Sequence, residues 1–294
     1  MPPFAVAEHT YSAYLPFRPK AICMIAGSRK YTQCGMSMRA ERISDHVYSD
    51  TSGEGRGNIG AIELPNFTIV VDSTISMKTA KAFRSSLESQ TQSPIRKLVL
   101  THHHSDHTLG IPAFKDCEVI ASEPYRRLKR TAKYQPTLTF EESLILKDEG
   151  FSVEIVHAGG HTKDSSYLYF PKEKTLFSGD LIFAKTFFYA GDRTFNPEGW
   201  TAVLNQFTAM DIEKIVPGHG PLCDKEEASV YLEFFNKTSA IMDELVQKGF
   251  SERQAAKYKE FPPFYQEYQE GVRAQALVNW YHFSKKRAHK HMEE

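Results

Sequence analysis

No apolar run in this sequence approaches the ~20 residues that a membrane-crossing helix requires, which excludes a helical membrane protein. Nor is there an excess of either charge. Lys plus Arg and Asp plus Glu each number 36, for a net charge of zero. That balance provides no general attraction to nucleic acid or to an anionic lipid surface, so a small-molecule substrate is the expected partner. Cysteine is sparse: Cys23, Cys34, Cys117 and Cys223 are scattered and form no CxxC pair. Such usage fits free thiols in a reducing, cytoplasmic setting rather than a disulfide framework. There is no basic-then-apolar secretory pattern and no short internal repeat. What the chain does have is 41% hydrophobic residues over 294 positions, enough to build one large domain or two modest ones.

It also has one dense run of potential metal ligands. Thr101-His102-His103-His104-Ser105-Asp106-His107 places four imidazoles and one carboxylate in a short loop. These side chains bind borderline divalent metals at neutral pH. The loop follows an apolar run at residues 95–100 that reads as a buried strand, and Gly110 closes it. Three more ligand types stand beside turn residues: His161 after Gly159-Gly160, Asp180 after Gly179, and His219 after Pro217-Gly218. Each follows a short apolar run and is expected at a strand end, where Gly or Pro turns the chain and presents a side chain into a cleft.

The ligands divide on physical grounds. Zinc favours about four ligands, and a catalytic zinc keeps one position for water. His102, His104 and His161 can supply one site, and Asp106, His107 and His219 a second. Asp180 can bridge the two ions through its two oxygens. Two cations ~3.5–4 Å apart form a clamp for a displacement reaction. His103 is expected to point away from its ligand neighbours, His157 to be packed or hydrogen-bonded, and His46, His282, His289 and His291 to lie on the surface. Asp72, in Val70-Val71-Asp72-Ser73-Thr74, reads from the residues alone as a turn aspartate.

The run His102-x-His104-x-Asp106-His107, with Gly-His-Thr at His161, Ser-Gly-Asp at Asp180 and Pro-Gly-His-Gly at His219, resembles the metallo-β-lactamase superfamily over roughly residues 40–222. The resemblance implies an αββα sandwich with the metals at one edge between the sheets, and an Asp72 that steadies the His-rich loop. True β-lactamases of the superfamily lack a bridging aspartate at the Asp180 position. The chain therefore looks like the wider hydrolase branch of glyoxalase II-like thioesterases, lactonases and phosphodiesterases. Flavodiiron proteins typically carry Glu where this chain has His104. Persulfide dioxygenases, which use a single iron, share much of the motif.

The expected organisation is an N-terminal arm or extension (residues 1–37), an αββα core (38–222) and a C-terminal helical segment packed on the core (223–294). The first is either a dispensable extension or an ordered arm on a neighbouring subunit of a homo-oligomer. Periodicity predicts helices over residues 77–88, 124–133, 197–210, 228–248 and 264–286, a capping box at Ser251 and Gln254, and short strands elsewhere, including 43–48, 175–178 and 212–216. The expected activity is cleavage of a small ester, thioester or lactone by a metal-bridging hydroxide, with Asp106 and Asp180 orienting the nucleophile. An iron persulfide dioxygenase and a phosphodiesterase are the alternatives. Two zinc ions are the expected cofactor, with iron or manganese also compatible with the ligand set. Residues 183–193 form either a pocket wall, with Lys185, Tyr189 or Arg193 meeting the substrate, or a core-packing turn. Lys163 is a further candidate. The aromatic stretch at 261–268 reads as packing rather than as a lid over the cleft.

Overall fold

The computed structural model describes residues 38–129 and 133–293; the arm at residues 1–37 lies outside them. The first sheet contains β1 (Glu41–Arg42), β2 (Val47–Asp50), β3 (Ile59–Glu63), β4 (Thr68–Val71), β5 (Ile95–Val99), β6 (Glu118–Ser122) and β7 (Leu138–Phe140), in that spatial order. Its first four strands pair antiparallel and the last four parallel. The parallel part is made by crossovers through α1 (Met77–Glu88), the short α2 (Ser105–Thr108) and α3 (Glu123–Leu128). The second sheet contains β8 (Ser143–Asp148), β9 (Phe151–His157), β10 (Ser166–Phe170), β11 (Thr175–Phe183) and β12 (Lys214–His219). It is antiparallel except for β12, which lies parallel to β11 at the edge.

Alternation along the strands sorts side chains into three layers of core. Ile69, Val71, Val99 and Ile120 of the first sheet face Val153, Ile155, Leu168 and Phe177 of the second. The intervening residues Val70, Leu98 and Val119 point outward, where Ala80, Phe83 and Leu87 of α1 cover them. Those three recur at helical spacing, and Ser76 starts the helix by accepting from the Thr79 amide. On the far side of the second sheet, Leu176 and Ile215 pack against α4 (Pro197–Ala209), α5 (Lys225–Gln247) and α7 (Val272–Glu293). The result is helix, sheet, sheet, helix: the αββα arrangement. Among the described residues no helix is long and apolar enough to cross a membrane.

Several expected boundaries move. β11 does not stop at residue 178 but runs through Asp180 to Phe183, with its register against β12 shifting on either side of Gly179. Gly179 has φ +51°, and a Cβ there would lie 2.8 Å from Thr101. This position requires glycine, and the resulting bulge turns Asp180 toward the first sheet. Asp180 is therefore an interior strand residue, not a strand-end one. The final helix starts at Val272 rather than 264; the segment before it forms no helix and packs Phe264 against Phe234 and Phe187. α3 spans only Glu123–Leu128, and β7 has no counterpart in the sequence reading. The expected strand at 43–48 is displaced to β2 at Val47–Asp50, preceded by the two-residue β1 at Glu41–Arg42. The capping box is present at the start of the short α6 (Glu252–Ala256).

Candidate dinuclear metal centre

The two sheets are tied at one end by backbone hydrogen bonds. Ser166 donates to the Thr101 carbonyl, and Asn58 donates to the Gly218 carbonyl, both at 2.8 Å. Around these ties the His-rich loop leaves β5, Asp72 ends β4, His161 follows β9, and His219 ends β12. His102, His104, His161 and Asp180 converge so that one donor atom of each lies within 4.8 Å of the others, and Asp106, His107 and His219 form a second such group.

Asp180 lies between the groups. Its Oδ2 is 3.5 Å from His102 Nε2 and 3.4 Å from His161 Nε2. Its Oδ1 is 3.0 Å from His107 Nε2 and 3.3 Å from His219 Nε2. Asp106 Oδ2 reaches His219 Nε2 at 3.4 Å. The approach requires small neighbours: a Cβ on Gly218 would lie 2.0 Å from Asp180 Oδ1, and one on Gly57 2.8 Å from the His107 ring. Asn58, buried and unforeseen in the sequence, donates from Nδ2 to the carbonyls of Pro217 and Gly220, holding the turn that carries His219.

The outward-facing ring nitrogens are held as well. His107 Nδ1 lies 2.8 Å from Asp72 Oδ2, while Asp72 also accepts from the Thr101 amide and hydroxyl, each at 2.8 Å. Asp72 has φ +63°, a conformation that aspartate tolerates better than most residues. His161 Nδ1 donates to the Tyr189 carbonyl at 3.1 Å, and His102 Nδ1 meets the Thr101 hydroxyl at 3.1 Å. Such outer partners fix the tautomer and leave the inner nitrogen as a lone pair.

That bonding pattern fits cations. His161 Nε2 faces His104 Nδ1 at 3.1 Å, and His107 Nε2 faces His219 Nε2 at 3.4 Å. When the rings are neutral with their outer nitrogens protonated, these inner pairs are lone pair against lone pair and repel unless a positive charge sits between them. His102 Nε2 and Asp180 Oδ1 are buried without a hydrogen-bond partner among the described residues. An orphaned buried polar atom costs about 1–3 kcal/mol, and a metal removes that cost. Burial, only partly opposed by Asp180, holds the pKa values of His102 and His161 well below the ordinary histidine value, so both rings are neutral donors. For His107 and His219 burial acts the same way and is the largest single influence, but the surrounding carboxylates together, Asp180 with Asp72 and Asp106 around His107 and Asp180 with Asp106 around His219, raise them. Burial pushes Asp180 upward, yet His219, His107 and His102 hold it well below the usual carboxylate range. It is a carboxylate at neutral pH.

Access is one-sided. His102, His107, His161 and Asp180 are buried, whereas the side chains of His104, His219 and Asp106 are 19%, 21% and 28% exposed. A substrate therefore meets the centre over those three.

The other expected residues take varied positions. Tyr189 sets its ring edge-on to His104 and His161, with centroids at 5.7 and 6.3 Å. Lys185 gives its ammonium to the buried Glu227 at 2.6 Å and to the Tyr265 hydroxyl at 3.2 Å, fastening the segment after β11 to α5 and to the aromatic stretch near residue 265. Arg193 and Lys163 are exposed. The segment at 261–268 packs on the helical layer, with Phe264 4.3 Å from Phe234 between ring centroids. His157 is held between the carbonyls of Glu141 and Lys163. His46 is half-buried against Phe151 instead of free on the surface. His103 turns from the metal groups to a buried carboxylate, Asp164, at 2.8 Å, and lies 3.5 Å from Asp192. Burial works to deprotonate His103, but these two carboxylates raise its pKa to about 9. Neither Asp164 nor Asp192 was singled out from the sequence. Asp164, close behind His161, was the more discoverable of the two.

A family model for the metallo-beta-lactamase superfamily matches residues 52–219. Among curated relatives, the alpha subunit of a 2,4-dinitroanisole O-demethylase from Nocardioides sp. is 27% identical over 235 residues, covering 76% of this chain and 70% of that one. A beta-lactamase-like protein 2 homolog from Caenorhabditis elegans is 31% identical over 160 residues, covering 52% of each, so the chain spans about half that relative's length. Among solved structures, a metallo-beta-lactamase from Pontibacter korlensis has the same fold, with a TM-score of 0.60 and 21% identity over 68% of this chain and 99% of that one.

Proposed function

Because this chain belongs to the metallo-beta-lactamase superfamily, we propose that its two ligand groups hold a pair of divalent cations, zinc first, and that it hydrolyses a small ester, thioester or lactone. The observation that carries this reading is the division of Asp180, with one oxygen toward His102 and His161 and the other toward His107 and His219. A carboxylate divided in this way would serve both ligand groups at once. Bound there, the cations supply Lewis acidity and bring the pKa of water down toward about 7. His102, His104 and His161 hold one cation, and Asp106, His107 and His219 the other. Asp106, the most exposed carboxylate of the set, is placed to orient the attacking water and to carry a proton toward the leaving group. The buried walls at His102 and His161 exclude bulk water from the opposite side. A complete second group, with Asp106, favours two cations over the single iron of a persulfide dioxygenase. The zero net charge favours a small substrate over a nucleic acid.

The test pairs metal analysis with a panel of ester, thioester, lactone and phosphodiester substrates. The expected result is about two zinc per chain and turnover of an acyl substrate that chelation abolishes and zinc restores. A chain that binds no zinc on addition, or that turns over only phosphodiesters, overturns the proposal.

A further inference from the structure

The dinuclear reading gives no task to His103, Asp164 and Asp192, although all three abut the centre. Asp164 is fully buried, with Oδ1 at 2.8 Å from His103 Nδ1 and Oδ2 without a hydrogen-bond partner among the described residues. On the other side of that ring, His103 Nε2 lies 3.5 Å from Asp192 Oδ2. The same oxygen of Asp192 lies 3.5 Å from His104 Nε2. Asp192 Oδ1 is held separately, by the amide of Thr194 at 2.7 Å and its hydroxyl at 2.5 Å.

His104 is the ligand that needs such a partner. It faces His161 through Nδ1, so Nδ1 is its inner nitrogen and Nε2 is left over. Neutral imidazole carries one proton. If the proton rests on Nδ1, the donor is lost. His107 solves the same problem with Asp72, and His161 with the Tyr189 carbonyl. His104 is partly exposed, so without an acceptor at Nε2 its tautomer and ring angle are set by solvent.

We infer that Asp192 is a positioning residue for His104: its carboxylate accepts a hydrogen bond from the Nε2–H group, which reserves Nδ1 for the cation, while His103, backed by Asp164, holds that carboxylate in place. The inference rests on the proposed metal centre and adds a function for the segment after β11. That segment is fastened to the helical layer, since Asn279 of α7 donates to the Ala190 carbonyl at 2.6 Å and the Phe187 amide donates to Gln266 at 2.9 Å. Through Asp192 the helical layer fixes one of the centre's ligands.

The experiment measures zinc affinity by chelator competition in two backgrounds. His219→Ala leaves the group of His102, His104 and His161 intact; His161→Ala leaves the group of Asp106, His107 and His219. Asp192→Asn retains the volume and the bonds to Thr194 but places a donor where an acceptor is needed. It is expected to weaken zinc binding about 10–100-fold in the first background and to leave the second unchanged. Asp72→Asn is expected to weaken the second background through His107 and the first through Thr101 and His102, so a selective loss in the first background is expected of Asp192→Asn and not of Asp72→Asn. Asp192→Ala repeats the measurement should the Asn variant misfold. Equal affinity with and without Asp192 in the first background, or equal losses in both, overturns the inference. So does a third zinc equivalent in the unmutated chain that vanishes with Asp192, which makes His103, His104 and Asp192 a cation site of their own. Absence of any zinc binding by the unmutated chain instead overturns the dinuclear reading itself.

Discussion

Replacing Gly218 by alanine adds one methyl group at the point where β12 passes Asp180. A Cβ built there lies 2.0 Å from Asp180 Oδ1, 2.6 Å from the Gly179 carbonyl carbon and 2.7 Å from the Asp180 amide nitrogen. Two of those atoms are backbone, so the clash cannot be relieved by a rotamer change alone. Either the Asp180 carboxylate swings away or β11 and β12 separate beside the Gly179–Pro217 pairing. Overpacking of this kind costs about 1–3 kcal/mol. The consequence for metal is larger than for stability, because Oδ1 is the atom displaced. It lies 3.0 and 3.3 Å from His107 and His219, while its partner oxygen serves His102 and His161. A shift of this carboxylate therefore weakens both groups, by roughly 10-fold or more each if its effect matches that of lost supporting contacts. Gly60→Ala is the control. Its Cβ falls 2.3 Å from the Phe177 ring in the core between the sheets, away from the ligands. It is expected to cost a similar 1–3 kcal/mol in urea denaturation of the zinc-free protein while leaving zinc affinity unchanged. If Gly218→Ala binds zinc as the unmutated chain does, or loses no more affinity than Gly60→Ala, Asp180 does not bridge the two groups.

Two further outcomes concern the supports of the fold. Tyr231→Phe removes a buried hydroxyl that accepts from the Phe183 amide at 3.0 Å and donates to the Phe183 carbonyl at 2.7 Å; the amide is left without this partner, while the carbonyl keeps the Thr186 amide at 3.4 Å. Equilibrium urea denaturation is expected to show a loss of about 1–3 kcal/mol, the penalty for one orphaned group; an unchanged midpoint contradicts the assigned role. Asp116→Asn addresses pH: its hydrogen bonds from Arg84 hold the Asp116 pKa at about 2 against an ordinary 3.8. A lowered folded pKa contributes stability that is present above pH 4 and is lost as pH falls toward 2. Because the carboxylate is 53% exposed, the expected gap between the unmutated chain and the variant is only about 1 kcal/mol at pH 7. It should narrow between pH 4 and pH 2 in thermal melts; a gap that stays constant with pH assigns the effect to something other than this charge.

The layering was legible because periodicity reports burial directly. Ala80, Phe83 and Leu87 recur at helical spacing, and the helix they predict is the one observed, Met77–Glu88. Errors arose where local signals compete with tertiary ones. Gly179 reads as a strand terminator, yet its left-handed conformation serves a bulge, and burial of Leu181, Ile182 and Phe183 carries the strand on. The aromatic segment after Pro263 has residues that suit a helix, but the packing of Phe264 on Phe234 and Phe187 holds it out of one.

The site divides by the same logic. Inner ligands were legible because chemistry restricts them: histidines and aspartates beside turn residues, several in one loop. Their outer partners are ordinary residues whose task depends only on what lies opposite. Asp72 and Asp192 illustrate the difference. Both are carboxylates behind a histidine of the centre, at 2.8 Å from His107 and 3.5 Å from His104. Asp72 was noticed through a family resemblance, since from the residues alone it read as a turn aspartate. Asp192 had no such aid: it lies within the matched region of residues 52–219, but in a loop without a ligand motif beside it, fastened to α7. In the proposed arrangement the tautomer of His104 depends on a segment whose sequence carries no metal signature. The ligands of this centre can be read locally, but the side chains that make them donors can be found only from the folded arrangement.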